Sequence, residues 1–312
     1  MVSLPDRLAG GLVGLLVGDA LGVPYEFHAR SAIPPREFIE FDPPAGFRRT
    51  YPSIPAGTWS DDGAQALCLL DALLSVGACE PRALAGRLRQ WYENGYLAVD
   101  GVVFDVGIAT RSALDAMTEG ADPATAGGTS EGDNGNGSLM RVLPLALWHR
   151  GSDAQLVADA HALSKPTHGH ARSQVACAFY CLWARRLLEG CADGWAEATA
   201  ALRACYCDAP WARFELEHHL RPDERIEGGG SGYVIDSLWS ARQCLAEPTY
   251  ADVVRAAVAL GGDTDTTACI AGGLAGIRFG RSAIPERWQR RLRGAELYQP
   301  LLAGLLAVRS NG

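Results

Sequence analysis

Basic residues are too few in this sequence to outweigh the acidic ones. Its 312 residues include 28 Lys and Arg against 36 Asp and Glu, which gives a formal net charge of -8. A surface that binds nucleic-acid phosphates needs an excess of cations on one face, and the local pairs at 185–186 and 290–291 are typical of solvated helix faces. The composition therefore carries no strong signal for a nucleic-acid partner.

The sequence contains no C-x-x-C pair. Its nine cysteines are scattered, and Cys205 with Cys207 is too close and too isolated a pair to indicate zinc. Cys68, Cys177 and Cys181 occupy helical positions typical of a core, and a chain of this length does not need disulfides for stability. We therefore expect reduced thiols and a cytoplasmic protein.

A hydrophobic run long enough to cross a membrane is also missing. The N-terminal candidate, residues 8–18, holds 11 uncharged residues between Arg7 and Asp19, whereas a transmembrane helix needs about 20. Although this segment resembles a signal-peptide core, residues 22–24 form no persuasive cleavage site. We expect a buried first helix and no membrane partner.

Alternation of apolar and polar residues, the mark of a β-strand, is almost absent. The only candidate strand is the short segment 102–106, whereas apolar residues recur at helical spacing in 67–74 and 156–163, and 171–188 is a long apolar stretch. Because helices average about 11 residues and connections are short, the sequence predicts an all-α protein of about a dozen helices. No change in composition marks a linker, so we predict one domain over 1–312.

Three segments rich in glycine or proline predict loops, at 31–57, 127–137 and 228–232. A long loop in a compact domain is more often functional than idle. Glycines let backbone N–H groups approach a phosphate closely. Neither glycine-rich loop follows a buried strand, so Walker and Rossmann patterns do not apply.

Two acidic clusters, at 60–62 (SDD) and 263–267 (DTDTT), stand about 200 residues apart, and each opens an apolar helical pattern. Neighbouring carboxylates repel one another and lose solvation when buried, which favours a shared cation. The carboxylates and the hydroxyls of Ser60 and Thr266 suit Mg²⁺ or Mn²⁺, and neither His nor Cys, the usual zinc ligands, flanks them. The alternative is that both clusters only cap helices, since Ser and Asp are favoured there.

The number of acids favours two cations over one. Five acids could contribute: Asp61, Asp62, Asp263, Asp265 and Glu26, with a total charge of -5 when ionised. Two divalent ions supply +4 and nearly neutralise this charge, whereas one ion leaves -3. We therefore predict a binuclear site for Mg²⁺ or Mn²⁺.

Six motifs, in this order along the chain, resemble those of the ADP-ribosylglycohydrolase family. They are GDALG at 18–22, GTWSDD at 57–62, FDVG at 104–107, GNGSLMR at 135–141, THGH at 167–170 and GGDTDT at 261–266. The resemblance extends over about residues 8–280. It implies a compact, orthogonal multi-helix fold around two divalent cations, which hydrolyses the bond between ADP-ribose and a modified group.

The resemblance also implies roles for single residues. The implied metal ligands are Ser60, Asp61, Asp62, Asp263, Asp265 and Thr266. Asp62 is also expected to be catalytic, together with Glu26 beside the metals and Asp105, which would position or deprotonate water. Asp19 is expected to orient the ligands. Where the family commonly has Thr or Ser after the Asp-Asp pair, this chain has Gly63, which predicts an altered metal geometry.

For the substrate, the resemblance implies contacts from two glycine-containing loops, a histidine and an aromatic residue. These residues are Asn136, Gly137, Ser138, His168, Ser231, Gly232 and Tyr233. The loops would surround the diphosphate and the distal ribose, and Tyr233 would stack on adenine. From the residues alone, 228–232 is interpreted as a flexible turn, Tyr233 as a core aromatic and His168 as a cap or a hydrogen-bonded strut.

These observations predict a hydrolase that removes ADP-ribose from ADP-ribosylated protein side chains or from a small ADP-ribose conjugate. Arginine is favoured as the target because an acidic protein attracts a cationic group. Serine-linked ADP-ribose, O-acetyl-ADP-ribose and ADP-ribosylated nucleic acid are alternatives, since they share the ADP-ribose half. Two other classes stay open: an inactive, structural, crystallin-like relative and a metal phosphoesterase.

Overall fold

The computed structural model describes residues 2–310. This part of the chain contains fifteen α-helices and no β-strand. In chain order the helices are α1 (Leu4–Gly22), α2 (Asp61–Val76), α3 (Pro81–Asn94), α4 (Ile108–Thr118), α5 (Gly137–Arg141), α6 (Leu143–Trp148), α7 (Asp153–Ser164), α8 (Ala171–Glu189), α9 (Gly194–Cys205), α10 (Pro210–Phe214), α11 (Val234–Cys244), α12 (Tyr250–Val258), α13 (Thr264–Phe279), α14 (Glu286–Arg291) and α15 (Ala295–Ser310). Isolated β-bridges join Gly128 with His168 and Gly135 with Tyr233. The predicted all-α class is confirmed.

Two details of the predicted secondary structure are wrong. The helices outnumber the expected dozen because four of them, α5, α6, α10 and α14, have only five or six residues and show no clear period in the sequence. Segment 102–106 is not a strand. It forms no β-bridge with another segment of residues 2–310, and Asp105 has a φ of 55°, which interrupts an extended course.

Helices α1 and α13 pack against each other through glycines. A Cβ atom on Gly10 would lie 2.1 Å from the carbonyl oxygen of Gly276, and one on Gly22 would lie 2.3 Å from Cα of Asp265. Side chains larger than hydrogen therefore do not fit there, and the two backbones approach closely. This packing places the C-terminal end of α1 against the second acidic cluster at the start of α13.

The first helix is buried, as the sequence predicts. This helix and the following turn, which ends at Tyr25, are long and apolar enough to cross a membrane. Their most apolar stretch is, however, entirely buried inside the protein. This composition is that of a core helix, because α1 is covered by α13 and by other helices of the same core.

One buried apolar core extends from Leu8 in α1 to Leu305 in α15. All nine cysteines are free, and Cys68, Cys177 and Cys181 lie inside this core. The proline-rich segment 31–57 contains little helix, as predicted, since only short 3-10 turns interrupt it.

Candidate active site

A cavity of about 830 Å³ lies where the starts of α2, α5 and α13 meet. Apolar residues of segment 106–109 form part of its wall. The acids in its wall come from five separate places in the chain: Glu26, the pair Asp61 and Asp62, Asp105, Asp133 and Asp263. The fold therefore gathers the acidic residues of distant motifs around a single cavity.

The first acidic cluster forms the start of α2. The hydroxyl oxygen of Ser60 caps this helix by accepting a hydrogen bond from the backbone N–H of Asp62 at 3.3 Å. The side chains of Asp61 and Asp62 instead reach the cavity wall. Gln65, one turn later, donates to Oδ2 of Asp61 at 2.9 Å. Ser60 thus has the capping role, while the two aspartates are left for the cavity.

The second acidic cluster begins α13 and meets the first. The hydroxyl of Thr266 donates to Oδ1 of Asp62 at 3.2 Å. Asp263 accepts a hydrogen bond from the side-chain amide of Asn136 at 2.8 Å, and Oδ1 of Asp265 accepts the backbone N–H of Thr266 at 2.9 Å. Asp265 is fully buried and does not line the cavity itself.

A third group of acids joins these clusters. Three carboxylate oxygens, one each from Glu26, Asp105 and Asp265, lie within 4.8 Å of one another. Asp105 has the positive φ that non-glycine residues rarely adopt, and Tyr51 donates its hydroxyl proton to the Asp105 carboxylate at 2.8 Å. Strained backbone of this kind is typical of functional sites, where surrounding contacts hold it in place.

Burial shifts the titration of these acids. It raises the pKa of Glu26 to about 10, with repulsion from Asp105 as the next cause. Burial, assisted by neighbouring carboxylates, also raises the pKa of Asp61, Asp62 and Asp265 well above the usual range of aspartate. In the absence of a cation these side chains therefore hold protons that exposed acids would release.

Three buried carboxylate oxygens have no hydrogen-bond partner within residues 2–310: Oε2 of Glu26, Oδ2 of Asp62 and Oδ2 of Asp265. Buried polar atoms without a partner are rare and costly. All three belong to the acidic cluster, and carboxylate oxygens are the ligands that Mg²⁺ and Mn²⁺ prefer. The residues present therefore fit hard divalent cations, both in donor type and in unmet bonding capacity.

Asp19 supports the first acidic cluster from helix α1. Its carboxylate accepts the backbone N–H of Ser60 at 2.8 Å and that of Gly63 at 2.7 Å. Burial raises the pKa of Asp19 to about 7, and these two N–H groups oppose the increase. Asp19 thus orients the first turn of α2 by binding backbone N–H groups of that turn. These hydrogen bonds do not involve the carboxylates of the turn.

Gly63 lies in a closely packed position. A Cβ atom there would lie 2.8 Å from Cγ of Trp59 and 2.9 Å from Cδ2 of Leu16. A hydroxyl at this position would therefore point at apolar core side chains. The altered metal geometry predicted from Gly63 stays a prediction, and packing against Trp59 gives a physical reason for glycine at this position.

Of the predicted substrate residues, most line the cavity: Asn136, Gly137, His168, Ser231 and Gly232. Ser138 does not, because its buried hydroxyl accepts hydrogen bonds from Ser164 and Cys177 behind the cavity wall. Tyr233 does not line it either. Its side chain is 39% exposed, next to Gly232, so the alternative of a core aromatic is wrong.

The loop 228–232 is held by hydrogen bonds. The carboxylate of Asp236 accepts the backbone N–H groups of Gly229 and Ser231 and the hydroxyl of Ser231, each at 2.7 Å. Gly228 packs against Ser240, since a Cβ atom on it would lie 2.3 Å from Cα of that residue. The loop is therefore a fixed part of the cavity wall, which differs from the flexible turn that its composition suggests.

His168 is buried, and burial lowers its pKa to about 3, so its ring is neutral. Arg141 donates to the hydroxyl of Thr167 at 2.6 Å, and this hydroxyl lies 2.8 Å from Nδ1 of His168. A Thr167 hydroxyl that gives its one proton to Nδ1 leaves the ring proton of His168 on Nε2. Nε2 lies beside Gly135 and Gly137, so this ring nitrogen is the one nearer the glycines of the cavity wall.

Among the cavity residues that sequence reasoning missed, two are large, apolar and exposed. Phe27 and Ile108 line it, yet 69% and 86% of their surfaces are exposed. Apolar residues usually indicate a core, so nothing in the pattern distinguished these two. Their only sequence signal is position, since Phe27 follows Glu26 and Ile108 follows the FDVG motif.

Comparison with known proteins agrees with this geometry. A family model described as ADP-ribosylglycohydrolase matches residues 2–311. The chain is 31% identical over 304 residues to ADP-ribosylarginine hydrolase Tri1 of Pseudomonas putida (strain GB-1), covering 95% of this chain and 76% of that protein. It is 30% identical over 292 residues to ADP-ribosyl-(dinitrogen reductase) glycohydrolase of Rhodospirillum rubrum, covering 93% of this chain and 91% of that protein.

A solved structure also matches closely. One chain of an ADP-ribosylglycohydrolase-related protein complex superposes with a TM-score of 0.75 at 31% identity, covering 99% of this chain and 98% of its own length. The residues matched by the family model, 2–311, include all the acidic residues of the cavity. The resemblance seen in the sequence is therefore confirmed, and the chain belongs to the ADP-ribosylglycohydrolase family.

Proposed function

We propose that this protein hydrolyses the bond between ADP-ribose and modified arginine side chains of proteins. The observation that carries this proposal is the gathering of carboxylates from five separate places in the chain around one cavity, whose other walls include glycine-containing loops. Two relatives described above bear the names of hydrolases for ADP-ribosylarginine and ADP-ribosylated dinitrogen reductase, which supports the same substrate class.

Two divalent cations, Mg²⁺ or Mn²⁺, are part of this proposal. Their ligands would be the residues at the starts of α2 and α13: Ser60, Asp61, Asp62, Asp263, Asp265 and Thr266. Ser60 already accepts one N–H, but a hydroxyl oxygen has a second lone pair for a cation. When bound, the cations would polarise the ribose hydroxyls and lower the pKa of water.

Glu26 and Asp105 are the proposed proton-transfer residues. Hydrolysis needs one group that takes a proton from the attacking water and one that returns a proton to the leaving nitrogen. Tyr51 holds one oxygen of Asp105, which leaves the other oxygen to accept a proton, and Oε2 of Glu26 has no partner. The two side chains therefore supply both roles within 4.8 Å of each other.

The loops would hold the ADP-ribose half. Backbone N–H groups near Gly137 and Gly232 can approach a diphosphate because no side chain blocks them. Nε2–H of His168 would donate to a substrate oxygen, and Tyr233 has an exposed ring available for stacking on adenine. Ser138 would support its loop from behind the wall and not touch the substrate.

The net charge of -8 supports arginine as the favoured target, since a cationic protein segment is attracted to an acidic surface. The free state of all nine cysteines supports our proposal of a cytoplasmic location, because buried thiols persist in a reducing compartment.

The test is release of free ADP-ribose from defined conjugates. The protein, loaded separately with Mg²⁺ and Mn²⁺, is incubated with arginine-linked and serine-linked ADP-ribosylated peptides, O-acetyl-ADP-ribose, ADP-ribosylated nucleic acid and a plain phosphate ester. Fastest release from the arginine conjugate supports the proposal. Preference for another conjugate reassigns the target, phosphate release indicates a phosphoesterase, and no reaction with any substrate indicates an inactive structural relative.

A further inference from the structure

A second cavity, of about 430 Å³, lies away from the acidic cluster. It is bounded by the first turn of α1, the C-terminal ends of α8, α11 and α13, and the loop that leads into α9. It shares no lining residue with the first cavity. We call it the arginine cavity, because Arg7, Arg242 and Arg278 all line it.

The three guanidinium groups are anchored without carboxylates. Arg7 donates to the carbonyl oxygens of Leu187 and Ile277 at 3.0 and 3.2 Å. Arg242 and Arg278 likewise donate to backbone carbonyls, at 3.1 and 2.6 Å. Within residues 2–310 none of the three forms an ion pair with an acidic side chain. Since a guanidinium has five N–H donors, each retains donors that these carbonyls do not use.

Aromatic side chains fix the orientation of one guanidinium and add another donor. Arg242 lies over the rings of Trp195 and Trp239, 4.2 and 4.7 Å from their centroids, so the face of its guanidinium is covered. Trp183 lines the cavity and is only 3% exposed, yet its indole N–H has no acceptor within the described residues. By contrast, the indole N–H groups of Trp195 and Trp239 both donate to backbone carbonyls.

The charge of the cavity is positive in an acidic protein. Asp193 is the only acid among its lining residues, and it is exposed and caps α9 by accepting the N–H of Ala196 at 3.0 Å. Three guanidinium groups and one carboxylate leave a net side-chain charge of +2, whereas the whole chain carries -8. Burial lowers the pKa of Arg242, and the charge of Asp193, which acts in the opposite direction, only partly offsets this desolvation of the cation.

We propose that the arginine cavity binds a small organic anion, a phosphorylated or carboxylated molecule, through Arg7, Arg242, Arg278 and the N–H of Trp183. Guanidinium groups recognise the oxygens of phosphates and carboxylates through paired N–H donors. The volume of about 430 Å³ exceeds that of a bare phosphate and leaves room for an organic part against Trp195. The competing explanation is that the arginines only satisfy backbone carbonyls, those at helix ends for Arg7 and Arg278 and those of a connecting segment for Arg242.

Alkylation of Cys191 separates these explanations. Cys191 lines the arginine cavity, whereas Cys207 is exposed elsewhere and serves as the internal control. The full-length protein is treated with iodoacetamide in the presence of inorganic phosphate, citrate or chloride at matched ionic strength, and each cysteine is followed by peptide mass spectrometry. Phosphate or citrate should slow alkylation of Cys191 in a saturable way and leave Cys207 unchanged. The more effective anion identifies the class of the ligand.

Variants complete the test. Arg278 is exposed, so Arg278→Gln should fold, which its melting temperature checks. It should weaken protection of Cys191 by about 10-fold or more, the effect of losing one charge-assisted hydrogen bond. Arg278→Lys should retain part of the protection of Cys191. Arg290→Gln, which changes an exposed arginine paired with Glu286, should leave this protection unchanged. Absence of protection by both anions, or equal protection in Arg278→Gln, would overturn the proposal in favour of the competing explanation.

Discussion

Thr266 donates a hydrogen bond to the carboxylate of Asp62 at 3.2 Å, although 204 positions separate the two residues in the chain. This contact joins the first turn of α13 to the first turn of α2. Asp19, at the end of α1, holds the backbone of the α2 turn at the same time. Each acidic cluster is therefore positioned by residues of the other helices, and loss of one should disturb the other.

The first prediction concerns the metal ligands. Asp62→Asn and Asp263→Asn should each lower kcat/KM by more than about 100-fold, since even residues that only support metal ligands change activity by about 10–100-fold. Both variants should also lose binding of Mn²⁺, measured by calorimetry. Asp115→Asn, at an exposed position of α4, is the matched control and should behave as the parent protein. Full activity of Asp62→Asn in EDTA would contradict the assignment of cations to this cluster.

The second prediction concerns pH in the cation-free protein. Burial raises the pKa of Glu26 from 4.5 to about 10. The folded state therefore holds this proton more tightly than the unfolded state, so the stabilisation is complete below pH 4.5 and is lost as pH rises towards 10. The melting temperature in EDTA should fall between about pH 7 and about pH 9.

Two controls accompany this measurement. Glu26→Gln removes the titrating group and should flatten the decline. Added Mg²⁺ or Mn²⁺ should also flatten it, because cations replace the protons on the carboxylates. A melting temperature in EDTA that rises over this pH range would show that the acids are not held protonated.

The third prediction concerns Gly63. Gly63→Ala should destabilise the protein by about 1–3 kcal/mol, because the new methyl group collides with Trp59 and Leu16 in a packed core. Gly86→Ala, in α3, has no atom within 4 Å of the added Cβ and should stabilise by about 0.5–1 kcal/mol through helix propensity. Urea unfolding measures both. Equal effects of the two substitutions would contradict the packing account.

The fourth prediction concerns Tyr233. If its exposed ring stacks on adenine, Tyr233→Ala should raise KM by about 3–10-fold, the effect of losing an aromatic contact of about 1 kcal/mol, and leave kcat nearly unchanged. Tyr233→Phe retains the ring and should keep the parent KM. An unchanged KM in Tyr233→Ala would place adenine elsewhere.

Much of the fold could be predicted because it depends on local patterns. Apolar periodicity located α7 and α8 within a few residues, and the capping preference of Ser60 indicated the start of α2. The predicted strand at 102–106 failed because strand formation needs a partner that no local pattern guarantees. Helices of five or six residues, such as α5, were missed because they are too short to show a period.

The candidate site was predictable in its residue types but not in its detailed contacts. Asp61, Asp62, Asp263 and Asp265 were recognisable as an acidic set from the sequence. The exposed position of Tyr233 and the buried position of Ser138 were not, because burial depends on which segments pack around a residue. For the same reason the close packing of Gly63 against Trp59 was not recognisable from the sequence.

The sequence by itself determined the helical class, the helix starts at the two acidic clusters and the family, because propensity, capping and motif order are properties of short segments. Only the tertiary structure decided that Ser138 lies behind the cavity wall and that three arginines line a separate cavity. The physical reason is that helices far apart in the chain pack together, as α1 and α13 do at Gly10 and Gly22. Contacts of this range are set by packing between helices, which no local pattern specifies.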